Sequence, residues 1–307
     1  MDYTILGRTG LEVSVMGLGC GGASRLGILT GGTEAAAVGV VERALDLGIN
    51  LIDTAELYGT EGIVGQAIQG HRRGKVVLST KKRVFDREKG SVADAKAMEL
   101  GVERSLRRLK TDVVDIFHAH LVLPDQYAYV RDEIVPALLQ LREVGKIRFL
   151  GITESFVDDS YHRMLEQALE DDCWDVVMAG FNLLNPSARM NILPVTQERD
   201  VGFLNMIAFR QAFGDPGYVR ERLEGQDWMG DEPPLGFLTR DPDVESLVEA
   251  AYRFSRWEPG VHVVLSGTGN PAHLEANVQA MGKSALGERH LKRLEDLFAL
   301  IGVKSYL

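Results

Sequence analysis

Eight short apolar runs, each followed by a segment with helical spacing, divide most of this 307-residue chain. The runs are rich in β-branched residues and apolar on both faces, which predicts strands that are covered on both sides. They lie at 13–20, 49–54, 75–81, 112–120, 147–153, 175–181, 201–209 and 261–267. Alternation repeated this often predicts the α/β class and favours a closed parallel (β/α)8 barrel ringed by helices.

The segments between the runs have the spacing of amphipathic helices. Residues 33–48 predict a helix with Thr33 as its N-cap, and residues 130–146 predict one that stops at Gly145 and Lys146. An open, doubly wound sheet is the alternative, but it usually has fewer strands and often carries Gly-x-Gly-x-x-Gly on its first turn. The glycine-rich residues 17–27 open no convincing helix, which favours a barrel in one domain spanning 1–307.

Two segments stand outside this alternation. Near the N-terminus, two apolar runs flank residues 7–10, "GRTG", which predicts a β-hairpin that closes the bottom of the barrel. The stretch from Gln211 to about Leu238 is too long for a routine connection between strands seven and eight. We expect it to fold over the site as a lid.

Charge and hydropathy narrow the function classes. A net charge of -10 argues against nucleic acid, because phosphate binding draws on clustered Lys and Arg. No run approaches the roughly 20 apolar residues needed to cross a bilayer, and the first residues lack a signal peptide's pattern. Cys20 and Cys173 make neither a disulfide framework nor a metal cluster and fit a reducing compartment. We therefore expect a cytoplasmic protein without nucleic-acid or membrane partners.

Four polar residues lie where the active site of such a barrel is found, at the carboxyl ends of the strands. Asp53 ends the second run, Lys81 the third and His120 the fourth, and Tyr58 follows the second run in its loop. Singly, each has an ordinary explanation as a turn residue, a solvated lysine, a loop-packing tyrosine or a buried histidine. Their joint placement on three consecutive strands predicts a catalytic group.

These residue types together suit proton donation to a carbonyl oxygen during hydride transfer. A tyrosine hydroxyl has an unperturbed pKa of about 10, and a neighbouring ammonium should lower it. In this interpretation Tyr58 is the general acid, Lys81 lowers its pKa, Asp53 holds Lys81, and His120 hydrogen-bonds the carbonyl oxygen.

The same motifs resemble those of the aldo-keto reductase family. The stretches "GINLIDTAELYG", "VVLSTKK" and "LKTDVVDIFHAH" are similar to the family's second-, third- and fourth-strand motifs. "GKIRFLGITES" and "SGTGNPAHLEAN" resemble its fifth-strand segment and the segment after strand eight, so the resemblance spans nearly the whole chain. It implies a TIM barrel, a catalytic tetrad of Asp53, Tyr58, Lys81 and His120, and a nicotinamide dinucleotide bound without a Rossmann domain.

The resemblance also implies cofactor contacts, some of which depart from the family pattern. Thr153 and Glu154 replace a Ser-Asn pair that holds the carboxamide, and Met178 replaces a glutamine on strand six. Met206 stands where a tyrosine stacks beneath the nicotinamide, and Gly21 lies near the end of strand one. The adenosine end is expected at Gly267, Thr268, Gly269, Asn270, His273 and Asn277.

The choice between the two dinucleotides depends on the 2′-phosphate. Arg or Lys normally meets this group, but the aligned positions carry no permanent cation. Backbone N–H groups at the start of the following helix, with Thr268 and Asn270, could hold it instead. The family implies NADP(H), and the missing cation also allows NAD(H).

Two other functions stay open at this point. Asp53, His118 and His120 could share a metal in a hydrolase, although no other histidine ends a fifth- or sixth-strand run. A nucleotide-binding regulatory subunit could retain the tetrad with little turnover. The expected substrate is a small aldehyde, ketone or aldose chosen by loops. Candidate loop residues are Gly21 and Leu121, where some relatives have aromatic walls, and Tyr218, Trp228 and Phe237 in the expected lid.

Overall fold

Eight parallel strands close into a barrel in the computed structural model, which describes residues 1–86, 90–210 and 234–301. Each barrel strand overlaps one of the runs predicted from the sequence, so the (β/α)8 barrel is confirmed and the open sheet is excluded. Barrel strands 1 to 8 are, in order, Met16–Gly19, Leu51–Asp53, Val77–Arg83, Val114–Val122, Ile147–Glu154, Val176–Gly180, Gly202–Met206 and Val263–Ser266.

Helices connect the strands around the outside of the barrel. Thr33 caps the first of them, as predicted, by accepting a hydrogen bond from the N–H of Ala36. The longer helices are Glu34–Asp46, Glu61–Ala67, Ala95–Leu109, Val135–Glu143, Arg163–Ala168, Leu193–Glu198, Leu247–Arg256, Pro271–Met281 and Glu288–Ile301, with shorter ones at Tyr127–Tyr129, Ala188–Asn191 and Gly236–Thr239. No helix in the described ranges is long and apolar enough to span a membrane.

The helix predicted at 130–146 is not a uniform α-helix. Val130–Ile134 forms a π-helical turn, and the α-helix runs from Val135 to Glu143 with Pro136 in its first turn. Proline has no N–H to donate to the preceding turn, so it suits the start of an α-helix and not its interior. The helix ends before Gly145, which takes a left-handed φ of 74°, as the predicted stop requires.

The N-terminal hairpin closes the bottom of the barrel, as predicted. Tyr3–Ile5 pairs antiparallel with Glu12–Ser14. Leu6 and Leu11, between the two strands, and Val13, in the second strand, send apolar side chains into the lumen, where they pack on inward-facing residues of the barrel strands. These lumen residues are Leu6, Leu11, Val13, Leu51, Val77, Ile116, Val176, Met178, Leu204 and Val263, all buried. Because they fill the lower lumen, an open polar site can form only at the carboxyl ends of the strands.

The expected lid lies mostly outside the described residues, which resume at 234. Its last part forms the short helix Gly236–Thr239, where Phe237 is buried with its ring centroid 5.8 Å from that of His290. Phe237 therefore anchors this segment to the outer helices. The sequence did not predict the small antiparallel pair Phe85–Asp86 and Ser91–Val92 that follows strand 3.

Candidate active site

A buried ion pair forms the base of the site. The Nζ of Lys81 donates to both carboxylate oxygens of Asp53, at 2.6 and 2.5 Å, and to the carbonyl oxygen of Thr54 at 2.9 Å. The two charged side chains are only 1% and 5% exposed. Burial opposes the ammonium charge, but the Asp53 carboxylate outweighs burial, and the pKa of Lys81 is raised. The lysine is cationic at neutral pH, and its three donors are all used.

Ser79 joins this pair to His118. Its hydroxyl donates to Oδ1 of Asp53 at 2.8 Å and lies 3.0 Å from Nε2 of His118. Gly151 on strand 5 leaves room for this imidazole, because a Cβ there would overlap its Nδ1. Burial, with a smaller effect of the Lys81 charge, holds the pKa of His118 well below its usual range. His118 is thus a neutral part of the site's floor, and the described residues contain no cluster of three or more His, Cys, Asp or Glu that could hold a metal.

Tyr58 reaches this pair from the loop after strand 2. Its 3₁₀ turn, Glu56–Tyr58, ends at Gly59, which takes a left-handed φ of 72°. Lys82 holds the turn from outside with a 2.8 Å ion pair to Glu56. The Nζ of Lys81 lies 5.3 Å from the centroid of the Tyr58 ring. The tyrosine hydroxyl itself has no hydrogen-bond partner within the ranges that the structure describes.

The pKa of Tyr58 is raised, because the lowering predicted from Lys81 is outweighed by other effects. Burial of the ring is the largest cause and favours the neutral phenol. The Lys81 charge acts in the predicted direction, but the Asp53 carboxylate beside it works against it. Tyr58 consequently holds its proton at neutral pH.

His120 faces Tyr58 across the mouth of the barrel. The two ring centroids are 5.8 Å apart, with the ring planes at 87°. Burial lowers the pKa of His120 well below its usual range, and the charges of Lys81 and Arg83 lower it further, so the imidazole is neutral. Its Nδ1 is buried and has no partner among the described residues. The structure therefore brings together all four residues that the sequence singled out.

Thr153 and Glu154, the last two residues of strand 5, both bond to other residues of the protein. The hydroxyl of Thr153 accepts the N–H of Leu121 at 2.9 Å. The carboxylate of Glu154 lies 2.8 Å from Nδ1 of His162 and accepts the N–H of Gly180 at 2.9 Å. Because Glu154 is completely buried, its carboxylate faces these partners and not the open mouth of the barrel.

The other residues expected near the nicotinamide have different surroundings. Met178 is buried among the lumen residues, and Met206 is partly buried above them at the end of strand 7. The residue after Met206, Ile207, has a φ of 63°, which is strained for a β-branched side chain. Gly21 packs directly on Tyr58, because a Cβ at this position would lie 2.6 Å from its ring.

The expected adenosine segment leads into the helix Pro271–Met281. Asn270 caps this helix by accepting the N–H of Ala272 at 2.9 Å, and Thr268 accepts the N–H of Asn270 at 3.0 Å. Gly269 packs closely on the backbone of Gly27, and a Cβ at position 269 would lie 2.3 Å from that backbone, so there is no room for a side chain. Gly267 lies near the carbonyl of Gly19. His273 is exposed, whereas the amide of Asn277 is buried and donates to Ser266 at 3.0 Å.

Sequence reasoning missed two contributors to the site. Ser79 precedes Lys81 by two positions, and the period of a strand places both on the inner face, so this spacing could have identified it. Phe156 lies over Gly180, where a Cβ would overlap its ring, and its ring stacks on His162 with centroids 5.6 Å apart. No local pattern identifies Phe156, because its position depends on the loop after strand 5.

Comparisons with known proteins agree with this fold. The model of the Aldo/keto reductase family matches residues 16–298. "Aldo-keto reductase YhdN" of Bacillus subtilis (strain 168) is 27% identical, covering 92% of this chain and 89% of its own length. "L-galactose dehydrogenase" of Arabidopsis thaliana is 28% identical, covering 92% and 88%. The holo form of aldo-keto reductase AKR11C1 from Bacillus halodurans superposes with a TM-score of 0.74 at 25% identity, covering 97% and 96%. The chain belongs to the aldo-keto reductase family.

Proposed function

We propose that the chain is an NAD(P)(H)-dependent oxidoreductase that interconverts a carbonyl and an alcohol. One observation carries this proposal: the rings of Tyr58 and His120 face each other beside the buried Lys81–Asp53 pair, and the Tyr58 hydroxyl has no hydrogen-bond partner among the described residues. A carbonyl oxygen is an acceptor that fits between a phenol and a neutral imidazole.

Each residue of the tetrad has a distinct part in carbonyl reduction. A reduced nicotinamide, when bound, would supply a hydride to the carbonyl carbon. As the carbonyl double bond opens, its oxygen takes the proton of the Tyr58 hydroxyl, which leaves an alcohol and a phenolate. His120 orients the oxygen, and Lys81 stabilises the phenolate because Asp53 keeps the ammonium in place. Oxidation of an alcohol runs in reverse and starts from the phenolate, so higher pH favours it.

The residues at the two ends of the expected cofactor fit a dinucleotide. Thr153 and Met206 would hold the nicotinamide end, and Thr268 with the capped helix start at Asn270 would meet the adenosine end. No permanent cation stands at the aligned 2′-phosphate positions, so we propose relaxed use of NADP(H) and NAD(H), with NADP(H) first. A ratio of kcat/KM values above about a thousandfold, about 4 kcal/mol, would contradict relaxed use.

The proposed substrate is a small aldehyde, ketone or aldose. The plant relative named L-galactose dehydrogenase supports a sugar as one candidate. The polar group around Tyr58 and His120 lies directly above an apolar lumen, so the reacting carbonyl must enter from the mouth of the barrel.

The test is turnover by the purified full-length chain. We expect cofactor-dependent reduction of at least one carbonyl in a panel of short aldehydes, ketones and aldoses, followed by the absorbance of the reduced nicotinamide with each dinucleotide. A parallel titration of cofactor fluorescence measures binding. Tight dinucleotide binding without turnover of any carbonyl would indicate a regulatory subunit, and loss of activity on metal chelation would contradict the reductase chemistry.

A further inference from the structure

Arg83 lies at the carboxyl end of strand 3, two residues beyond Lys81. Side chains alternate along a strand, so Ser79, Lys81 and Arg83 share the inner face of strand 3. The first two confirm this direction, because both bond to Asp53. Arg83 is also the register partner of His120 on strand 4. Paired residues on neighbouring strands point to the same face, so the guanidinium lies on the side of the site where the carbonyl is proposed to bind.

This guanidinium is half-buried and makes no ion pair or hydrogen bond to any residue that the structure describes. Its charge is close enough to act on the imidazole of His120, whose pKa it lowers after burial and the Lys81 charge. Lys81 cannot serve an incoming anion, because Asp53 and Thr54 occupy its three donors. Arg83 is thus a cation beside the reacting group whose donors have no partner among the residues that the structure describes.

We propose that the carbonyl substrate carries a carboxylate or phosphate group and that Arg83 binds this group. The proposal rests on the proposed carbonyl chemistry and names a substrate class within it. A guanidinium presents a planar fork of donors that matches either anion. Neighbouring strands lie roughly 5 Å apart, so an anion on Arg83 is only a few bonds from a carbonyl held by His120, which selects short substrates.

Arg25 is a second cation near the site among the described residues, and it offers an alternative binding group for an anionic substrate. It lies in the loop after strand 1, and its charge is the smallest of the influences on the pKa of Tyr58, after burial, Lys81, Asp53 and Cys20. Two residues later, Gly27 packs on Gly269 in the expected cofactor segment. Arg25 is therefore on the cofactor side of the mouth, whereas Arg83 is on the side of strands 3 and 4.

The test compares matched substrates that differ in one charged group. Succinic semialdehyde is paired with butanal for the carboxylate, and glyceraldehyde 3-phosphate with glyceraldehyde for the phosphate. We expect wild-type kcat/KM to favour the anionic member of one pair by about tenfold or more. Arg83→Gln should reduce that preference about 10- to 100-fold by raising the KM of the anionic substrate. Arg83→Lys keeps a positive charge without the planar fork of donors, so it should retain part of the preference. The wild-type preference should also weaken as salt is added.

Arg107→Gln is the matched control, since Arg107 is exposed on the outer helix Ala95–Leu109 and its loss should leave the preference unchanged. Equal use of charged and neutral members by the wild type, or a preference that survives in Arg83→Gln, would overturn the inference. So would loss of the preference in Arg25→Gln but not in Arg83→Gln. Reduction of neutral carbonyls in these cases would leave the proposed function standing, whereas absence of turnover with every substrate would refute the function itself.

Discussion

Asp53→Asn should destabilise the protein by leaving the Lys81 ammonium buried without a countercharge. The two side chains are 5% and 1% exposed, so water cannot replace the lost carboxylate. Removing one partner of a buried pair costs about 3–5 kcal/mol. An asparagine keeps the shape and one acceptor oxygen, so we expect about 3 kcal/mol. At roughly 2–4 °C per kcal/mol for a large domain, Tm should fall by roughly 6–12 °C.

The assay is urea unfolding of wild type and variant, followed by far-ultraviolet circular dichroism. The double variant Asp53→Asn, Lys81→Met leaves no unpaired charge buried, so it should recover much of the lost stability. The control is Glu99→Gln, whose partner Lys96 is 73% exposed, and it should change stability by less than about 1 kcal/mol.

Two results would refute this reasoning. A loss below about 1 kcal/mol in Asp53→Asn would show that solvent reaches the ammonium. A double variant no more stable than the single one would show that the loss comes from packing and not from an unpaired charge. Both variants should lack activity, which separates the pair's role in stability from its role in catalysis.

Further variants and a pH profile test other parts of the site. Gly21→Ala brings a methyl group against the Tyr58 ring, so kcat should fall about tenfold or more with little change in Tm, and an unchanged kcat would contradict this contact. His162→Gln removes the imidazole that lies 2.8 Å from the buried carboxyl group of Glu154 and should cost about 3 kcal/mol in urea unfolding, whereas a neutral effect would exclude a charged pair. The rate of reduction should be flat between about pH 6 and 9 and fall above about pH 10, because the pKa of Tyr58 is raised and that of His120 lies well below its usual range. A single titration near pH 6.5 assigned to His120 would contradict the neutral imidazole.

The barrel and the tetrad could be predicted because both follow from local patterns. Runs apolar on both faces identify strands, and the carboxyl end of each run places its polar residue at the mouth of the barrel. This rule alone was enough to predict the positions of Asp53, Lys81 and His120 at the mouth of the barrel. Ser79 could have been predicted equally well, since it lies two positions before Lys81 on the same strand face.

The net pKa of Tyr58 could not be predicted, because it depends on how deeply the ring is buried. Sequence predicts that Asp53 pairs with Lys81 but not how burial and the Asp53 charge together outweigh the lysine. The hydrogen-bond partners of Glu154 could not be predicted from the sequence either. Its partner His162 lies eight positions away along an irregular loop, and no helical or strand period joins them. Arg83 passed unnoticed because the predicted strand ended at Lys81, although the observed strand continues to Arg83.

Single-turnover reduction by Tyr58→Phe tests the central claim most directly. The variant removes only the hydroxyl, so the ring contact with Gly21 and the Lys81–Asp53 pair remain. The change should lower the rate of carbonyl reduction by about 10²–10⁴-fold while cofactor binding, read by fluorescence titration, changes by less than about threefold. Tyr161→Phe, on an exposed tyrosine, should match the wild type in both measurements. A Tyr58→Phe variant that reduces its carbonyl at the wild-type rate would contradict the account.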